Sequence, residues 1–332
     1  MECYKSVKLD KDMYRVANKS FSEVLESYDS SSNYRESSLA NIDAFQRQLK
    51  RFDIRVGRNN SDEVEKFFRS AQTATLFPEY VLRAVKSGTD VVNTLNEIIA
   101  VKTKIDSMDY RAIYFEQDDE PTVIGEGASI PSVNIKLKEN LVTLKKTGRM
   151  LVVDYETIKN RKIEVFTIAL KQIGYKIAEQ QLKSAVDILI NGDGNFKPDV
   201  KTISGGLKFE DLIDLWNSFT EYKMNTVLIS PNMAKKMLGL KEIFNPYNGL
   251  KFELTGQVDT LMGARLLKSK FVPDDVIIAL DKNFALEMVC CGDIQVDYDK
   301  LIDRQLKRST ITSTYGFTRI CEDAVKILKF SE

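Results

Sequence analysis

From Val133 onward, apolar residues alternate with polar ones: Val133, Ile135 and Leu137 against Asn134, Lys136 and Lys138. A period of two is the signature of a strand with two unlike faces. A charged turn near Glu139 and Asn140 and a return through Val142 and Leu144 complete a predicted hairpin. Its polar face and charged tip leave neither strand packed inside its own domain, and a two-stranded hairpin alone is at best marginally stable in water. The hairpin therefore calls for a partner surface, and its lysines (Lys136, Lys138, Lys145, Lys146) either lie in solvent or meet acidic groups on a neighbour.

The period then changes. After the apolar run 150–153, Asp154 is positioned as an N-cap, and Phe166, Ala169, Leu170, Ile173, Ile177, Ala178, Leu182, Ala185, Val186 and Leu189 recur at helical spacing. The run closes at Asn191-Gly192-Asp193-Gly194-Asn195, residues suited to the left-handed turn that ends a helix. A helix of roughly 36 residues would be about 54 Å long, against a radius of gyration of about 20 Å for a compact chain of this size. Gly174 sits inside it, where glycine costs about 1 kcal/mol relative to alanine.

Residues 1–35 are polar and contain the Ser-rich run 28–34, which reads as a flexible link. Ile42, Phe45, Leu49 and Phe52 mark one amphipathic helix; Val64, Phe67, Phe68 and Ala71 mark a second. The segment 80–85 is predicted helical, and 91–101 is apolar but open between helix and strand. Beyond Gly205-Gly206 helices and strands alternate: a helix through Phe209 to Phe219, a strand over 226–229, a helix opened by Pro231, then strands over 265–267, 276–280 and 285–290. This is a compact α/β domain. Alternation at Ile294, Val296 and Tyr298 and a long polar strand over 309–317 lead out of it, and Ala324, Val325 and Leu328 predict a short closing helix.

Composition narrows the function. The 332 residues carry 48 Lys plus Arg and 48 Asp plus Glu, so no net field draws the chain to nucleic acid or to an anionic membrane. No run of 18 uncharged apolar residues and no signal peptide occurs, so no membrane partner is expected. The chain has no histidine, which removes the commonest general base and the commonest zinc ligand. The four cysteines (Cys3, Cys290, Cys291, Cys321) form no CxxC pair and read as small hydrophobes in a reducing compartment.

Other candidate chemistry is thin. The acidic run 116–120 lacks the spacing of a calcium loop, and Asp187, Asn191, Asp193 and Asn195 lack the glycine and closing glutamate of an EF-hand. Gly125-Glu126-Gly127 and Gly192-Asp193-Gly194 each stop short of a dinucleotide fingerprint, and no Walker A or GxSxG pattern occurs. No catalytic residue, cofactor or metal is assigned, and the chain is expected not to be an enzyme.

The order of these parts resembles the major capsid proteins of tailed double-stranded DNA bacteriophages, the Hong Kong 97-type fold, over residues 65–330. Residues 68–85, with Leu76-Phe77-Pro78-Glu79, look like that family's N-terminal arm, in which Phe67 and Phe68 are included. Gly125-Glu126-Gly127-Ala128-Ser129-Ile130-Pro131 begins the presumed extended loop (E-loop). Residues 146–156, with Leu151-Val152-Val153-Asp154, resemble the passage into the spine helix; 276–281 and 316–324 match patterns near the family's C-terminus.

The resemblance implies an α+β fold with an N-terminal segment (1–60), an N-arm (61–115), an E-loop (116–150), a peripheral P-domain with the spine helix (151–205), an axial A-domain (206–291), and return strands with a C-terminal helix (292–332). It implies a structural coat protein that self-assembles through hexamers and pentamers into an icosahedral shell around packaged DNA. That DNA would be enclosed without sequence-specific binding. Portal, scaffold and decoration proteins would be further partners, and the site would be the virion, assembled in the bacterial host cytoplasm. E-loop residues Val133, Ile135, Lys136, Leu137, Lys138, Val142, Leu144 and Lys145 would lie on an adjacent subunit. Asp154, Phe166, Leu170, Ile173, Gly174, Ile177 and Leu182 would form the spine, with Gly174 bending during maturation, and Phe67, Phe68, Leu76, Phe77 and Pro78 the arm. Some members carry a removable N-terminal scaffolding segment, the position held here by residues 1–60. Some members join subunits by a Lys to Asn bond; nothing marks the acceptor or its carboxylate catalyst here, so no cross-link is expected. An encapsulin-type nanocompartment is the alternative, and an α/β enzyme using Asp211, Asp214, Asp274 and Lys282 the remote one.

Overall fold

The computed structural model describes residues 3–331 apart from 17–18, 36, 58–59, 92, 116–122, 124–125, 128–134, 155–160, 242–260 and 302–305. Its helices are α1 (Phe21–Tyr28), α2 (Ala44–Arg51), α3 (Ala71–Thr89), α4 (Ile163–Asn191), α5 (Phe209–Asn217) and α6 (Pro231–Leu238). Its strands are β1 (Val101–Ile105), β2 (Ile113–Phe115), β3 (Ile135–Leu137), β4 (Lys145–Asp154), β5 (Asp199–Ser204), β6 (Thr226–Ile229), β7 (Arg265–Lys268), β8 (Val276–Leu280), β9 (Leu286–Cys291), β10 (Gln295–Leu301), β11 (Leu306–Arg319) and β12 (Val325–Ser331). The chain divides into two units. One comprises Met1–Val92, Thr147–Ala178 and Ile294–Ser313, the other Asn93–Lys146, Glu179–Asp293 and Thr314–Glu332.

In the first unit the N-terminal segment is folded, contrary to the flexible link expected of it. The serines act through their side chains: the Ser31 amide and hydroxyl both donate to the Glu26 carboxylate, at 2.9 and 2.8 Å. Tyr34 Oη donates to Asp29 at 2.7 Å, and Arg47 Nε donates to the same carboxylate at 2.6 Å. Arg47 is wholly buried, and its other nitrogens donate to the Asp29 and Ile42 carbonyls at 2.6 and 2.7 Å. A composition that signals a turn thus supplies local side-chain bonds instead of disorder.

Capping boxes start the helices: Ser20 with Glu23 at α1, Asp43 with Gln46 at α2, Ser70 with Thr73 at α3. The cap at Asp43 sets the first expected helix to begin at Ala44. The second, drawn through Val64 to Ala71, is instead a 3₁₀ turn over Val64–Phe68 followed by α3, because Ser70 caps a new start. Leu9, Phe21, Leu25, Phe45 and Leu49 share one core with Phe67, Leu76, Phe77, Tyr80, Leu170 and Ile177. In the same unit β10 pairs antiparallel with the first part of β11, from Gln295 opposite Thr312 to Leu301 opposite Leu306.

Helices α3 and α4 approach through glycine. A Cβ on Gly174 would fall inside contact distance of the Val85 carbonyl oxygen, and one on Gly88 would do the same to Lys171. Gly174 thus has a packing role in this structure: without a side chain, two backbones can touch.

The spine helix itself is shorter than expected. Asp154, read as its N-cap, is the last residue of β4, and α4 runs for 29 residues from Ile163, about 44 Å. The apolar run before Asp154 is a strand: Leu151 and Val153 turn to the core while Met150 and Val152 are exposed, a period of two.

The second unit contains the α/β layer. Its sheet has the order β5-β12-β8-β6-β7, with β8 antiparallel to both β6 and β12, and β5 and β7 parallel to their neighbours. Leu212 and Leu215 of α5 and Met233 and Met237 of α6 cover Val227, Ile229, Ile277 and Ala279. Ser230 caps α6, with Pro231 at its first position as expected. The layer extends beyond the expected 206–291, because β5 and β12 belong to it. The predicted C-terminal helix is β12: flanked by strands on both sides, it buries Val325, Ile327 and Leu328, and burial on two faces masks the period of two. Strand β9 pairs parallel with β1 and antiparallel with the last part of β11. The open segment 91–101 resolves into a 3₁₀ turn over Asn93–Glu97 and the start of β1.

Candidate assembly surfaces

Strand β3 pairs with β2, not with the 142–144 return: Ile113 faces Leu137, Tyr114 faces Lys136, and Phe115 faces Ile135. Residues on one side of this ribbon alternate with the pleat, so Ile113, Ile135 and Leu137 share a face. Among the described residues this face is uncovered; Ile135 and Leu137 are each 61% exposed. The hairpin expected over 133–144 is therefore not formed: Ile135–Leu137 is a strand with its apolar face exposed, as its alternation predicts, but it pairs with β2, and residues 142–144 are not its return strand. Val133, most of the segment 125–131 and the acidic run 116–120 lie outside the described residues.

One residue further on the chain turns inward. The Lys138 amide donates to the Ala112 carbonyl at 2.8 Å and the Val142 amide to the Tyr110 carbonyl at 2.9 Å. Val142 is buried against Ala112 and Val289, with Leu144 packed beside them. Lys138 and Val142 are therefore core residues of their own unit, which corrects their assignment to an intersubunit contact.

The Lys138 ammonium lies 3.5 Å from Asp193 Oδ2, donates to Thr318 Oγ1 at 3.2 Å and to the Arg319 carbonyl, and sits 4.3 Å from the centre of the Phe196 ring. Asp193 is held by the turn that ends α4, where Gly192 and Gly194 take φ of 84° and 86°. Its Oδ1 accepts from the Asn195 and Phe196 amides, both at 3.0 Å; its Oδ2 accepts from Thr318 Oγ1 at 2.7 Å and the Arg319 amide at 3.0 Å. The helix-ending turn read at 191–195 is therefore correct, with Asp193 as its organiser.

Burial draws the Lys138 ammonium below its ordinary range, opposed by the charges of Asp193 and Glu287. Burial alone would raise the Asp193 carboxyl, but the Thr318 hydroxyl, the Phe196 amide and Lys138 together hold it below the usual carboxylate range. Glu287 accepts from Thr103 Oγ1 at 2.5 Å and from Tyr110 Oη at 2.8 Å, and burial with this carboxylate pushes the Tyr110 phenol up to about 12. Nothing local in the sequence marks the Lys138–Asp193 pair, whose members are 55 residues apart.

Of the spine residues, Leu170, Ile177 and Leu182 are buried, Phe166 and Ile173 pack on the core of the first unit, and Asp154 belongs to β4. Val165, Ile168 and Tyr175 form a second exposed apolar set, at spacings of three and seven along one face of α4. In the arm, Phe67, Leu76 and Phe77 are buried, Phe68 stacks on Tyr298 at 5.9 Å, and Pro78 lies within α3. Lys136 is exposed on the ribbon and Lys145 on β4. The residues considered for an enzyme have separate partners: Asp211 accepts from the Lys208 amide at 2.9 Å, Asp214 pairs with Lys201 at 3.0 Å, Asp274 with Asn232 at 2.7 Å and Lys282 with Glu97 at 3.4 Å. Among the described residues no helix is long and apolar enough to cross a membrane.

No family model matches the chain, and no curated protein matches it. Solved structures do. The capsid chain of a native GTA particle has a TM-score of 0.55 at 14% identity, covering 74% of this chain and 91% of that one. The capsid of cyanophage P-SCSP1u gives 0.55 at 12% identity, with 72% and 88% covered. A virus-like particle from Pyrococcus furiosus gives 0.50 at 14% identity, with 76% and 98% covered. At such low identity the likeness is one of backbone: the chain has the α+β Hong Kong 97-type capsid fold.

Proposed function

We propose that this chain is a major capsid protein, a structural coat subunit whose copies assemble through hexamers and pentamers into an icosahedral shell enclosing double-stranded DNA. The observation that carries the reading is the ribbon of β2 and β3: a two-stranded element with Ile113, Ile135 and Leu137 exposed together is unstable in water unless another surface covers it. A shell subunit supplies that surface from a second copy, and the capsid fold supports repetition of the contact. In this reading residues 61–115 would contain the arm, 116–150 the E-loop, α4 the spine, and the sheet around β8 the A-domain. Balanced charge suits a wall that encloses DNA without gripping it. Portal, scaffold and decoration proteins would complete a virion formed in a bacterial cytoplasm, and the role is mechanical, with no catalysis assigned.

The test is assembly. Purified chain is measured by light scattering and negative-stain imaging beside the double variant Ile135→Asp, Leu137→Asp. The unaltered chain should give capsomer rings or closed shells, and the variant folded subunits of unchanged circular dichroism that do not assemble. Shells of normal size from the variant would overturn the assignment of the ribbon, and a monomer from the unaltered chain, even with scaffold candidates added, would overturn the capsid reading. The second reading, an encapsulin-type container, is supported by the 98% coverage of the Pyrococcus furiosus particle chain. A co-purifying protein cargo without DNA in native particles decides for it.

A further inference from the structure

Pro78 lies inside α3, where it lacks the amide hydrogen that would bond to the Ala74 carbonyl and its ring crowds that turn. The next rung of the helix would join the Glu79 amide to the Thr75 carbonyl. The Tyr14 hydroxyl bridges these same two groups: it accepts from the Glu79 amide at 3.1 Å and donates to the Thr75 carbonyl at 2.8 Å. A side chain in this position is a recognised way for a helix to accommodate a break. Tyr14 is itself fixed by stacking on Phe21, with centroids 4.3 Å apart and planes 9° from parallel. Burial and the nearby Glu79 raise its phenol, so it stays protonated and able to donate.

Further contacts continue along the same stripe of α3, through Glu79 and Arg83 at steps of four residues. Ser22 of α1 donates to Glu79 Oε1 at 2.6 Å. Arg83 donates to Glu79 Oε1 at 2.8 Å, to Ser22 Oγ at 2.7 Å and to Asp43, the cap of α2, at 2.5 Å, while its guanidinium lies 4.4 Å from the Phe45 ring centre. Thus the turn carrying Tyr14, helix α1 and the start of α2 each hand one polar group to Thr75, Glu79 or Arg83. Leu25, Phe45 and Leu49 of these same elements lie in the core beneath.

We infer that residues 3–52 are a built-in clamp on α3, with the Tyr14 hydroxyl serving as a rung of the helix beside Pro78, and that the segment stays with the folded subunit rather than acting as a removable extension. The clamp holds a helix that its own sequence would break, and it does so whatever the chain assembles into.

Amide hydrogen exchange on the full-length chain tests the clamp. Tyr14→Phe keeps the ring and its stacking but removes the bridge; exchange at the Glu79 amide should rise about tenfold or more, the effect of losing one hydrogen bond. Pro78→Ala in that background gives α3 back its own amide and should restore most of the protection, an interaction that a purely packing role for Tyr14 does not produce. Unchanged Glu79 exchange in Tyr14→Phe would overturn the inference. Should that variant fail to fold, a protease site inserted at Gly57, which is exposed, gives the answer in the otherwise unaltered chain. The cleaved N-terminal fragment is expected to co-elute with the remainder on gel filtration at micromolar concentration, and its release with α3 still folded would overturn the clamp.

Discussion

Lys138 and Asp193 form an ion pair at 3.5 Å with side chains only 2% and 3% exposed, and the pair joins the end of the ribbon to the end of α4 and to β11. A residue that alternation assigns to the solvent side of a predicted hairpin is thus the inward anchor at the end of the β2–β3 ribbon. Desolvation makes such a pair costly to break from one side.

Lys138→Met is expected to destabilise the second unit by about 3–5 kcal/mol, because Asp193 is left buried without its counter-charge. The double variant Lys138→Met, Asp193→Asn should lose less than the single one, since no bare charge remains. Urea unfolding followed by circular dichroism measures both, and equal losses would show that the charge is not what matters.

The same pair sets an acid response. The Asp193 carboxyl is held below its unfolded value of about 3.9, so its contribution is complete above about pH 4 and disappears as pH falls through the lower folded value. In Lys138→Met burial persists while one charge that lowers the carboxyl is gone, so acid unfolding should begin at higher pH. Near-ultraviolet circular dichroism during acid titration reads the midpoint; an identical midpoint in both proteins would contradict the electrostatic account.

Gly174→Ala should cost about 1–3 kcal/mol or more, although alanine ordinarily favours a helix interior by about 1 kcal/mol. The added methyl would meet the Val85 carbonyl, and backbone cannot rotate aside as a side chain can. Gly206→Ala, which meets nothing within 4 Å, serves as the control and should stay within about 0.5 kcal/mol of the unaltered chain. Thermal melts of the two variants compare them directly.

Arg47→Lys should loosen the N-terminal segment despite conserving charge. The guanidinium reaches Asp29, two carbonyls and Ser31 at once and lies 4.5 Å from the Tyr34 ring centre, a set that a single ammonium cannot reproduce. Limited proteolysis should cut within the first 52 residues at least several-fold faster in this variant.

Within the α/β layer β6 and β8 are legible because they are short apolar runs bounded by turn residues: 226–229 and 276–280 are found where periodicity puts them, whereas β5 carries no such signal. β12 carries a misleading signal: Val325 and Leu328 stand at helical spacing, and both are buried because the strand has neighbours on either side. The ribbon was half legible. Alternation at Ile135 and Leu137 correctly marked an exposed apolar face, but nothing local identified β2, more than 20 residues earlier, as the partner, or turned Lys138 inward. Pairings of that kind depend on contacts distant in sequence: Lys138 with Asp193, Tyr14 with Thr75 and Glu79, Gly174 with Val85. Each end of such a contact looks ordinary by itself.

Strand β12 follows every other strand of its sheet in the chain, yet it occupies an interior place between β5 and β8. During synthesis β5, β6, β7 and β8 therefore emerge with a gap that only β12 can fill, and until it arrives both β5 and β8 present unpaired edges. Non-local insertion of this kind slows folding. It also acts as a timer: a nascent chain cannot complete its α/β layer until translation has passed Ser331, so interrupted products are left with open strand edges for the quality-control machinery to recognise.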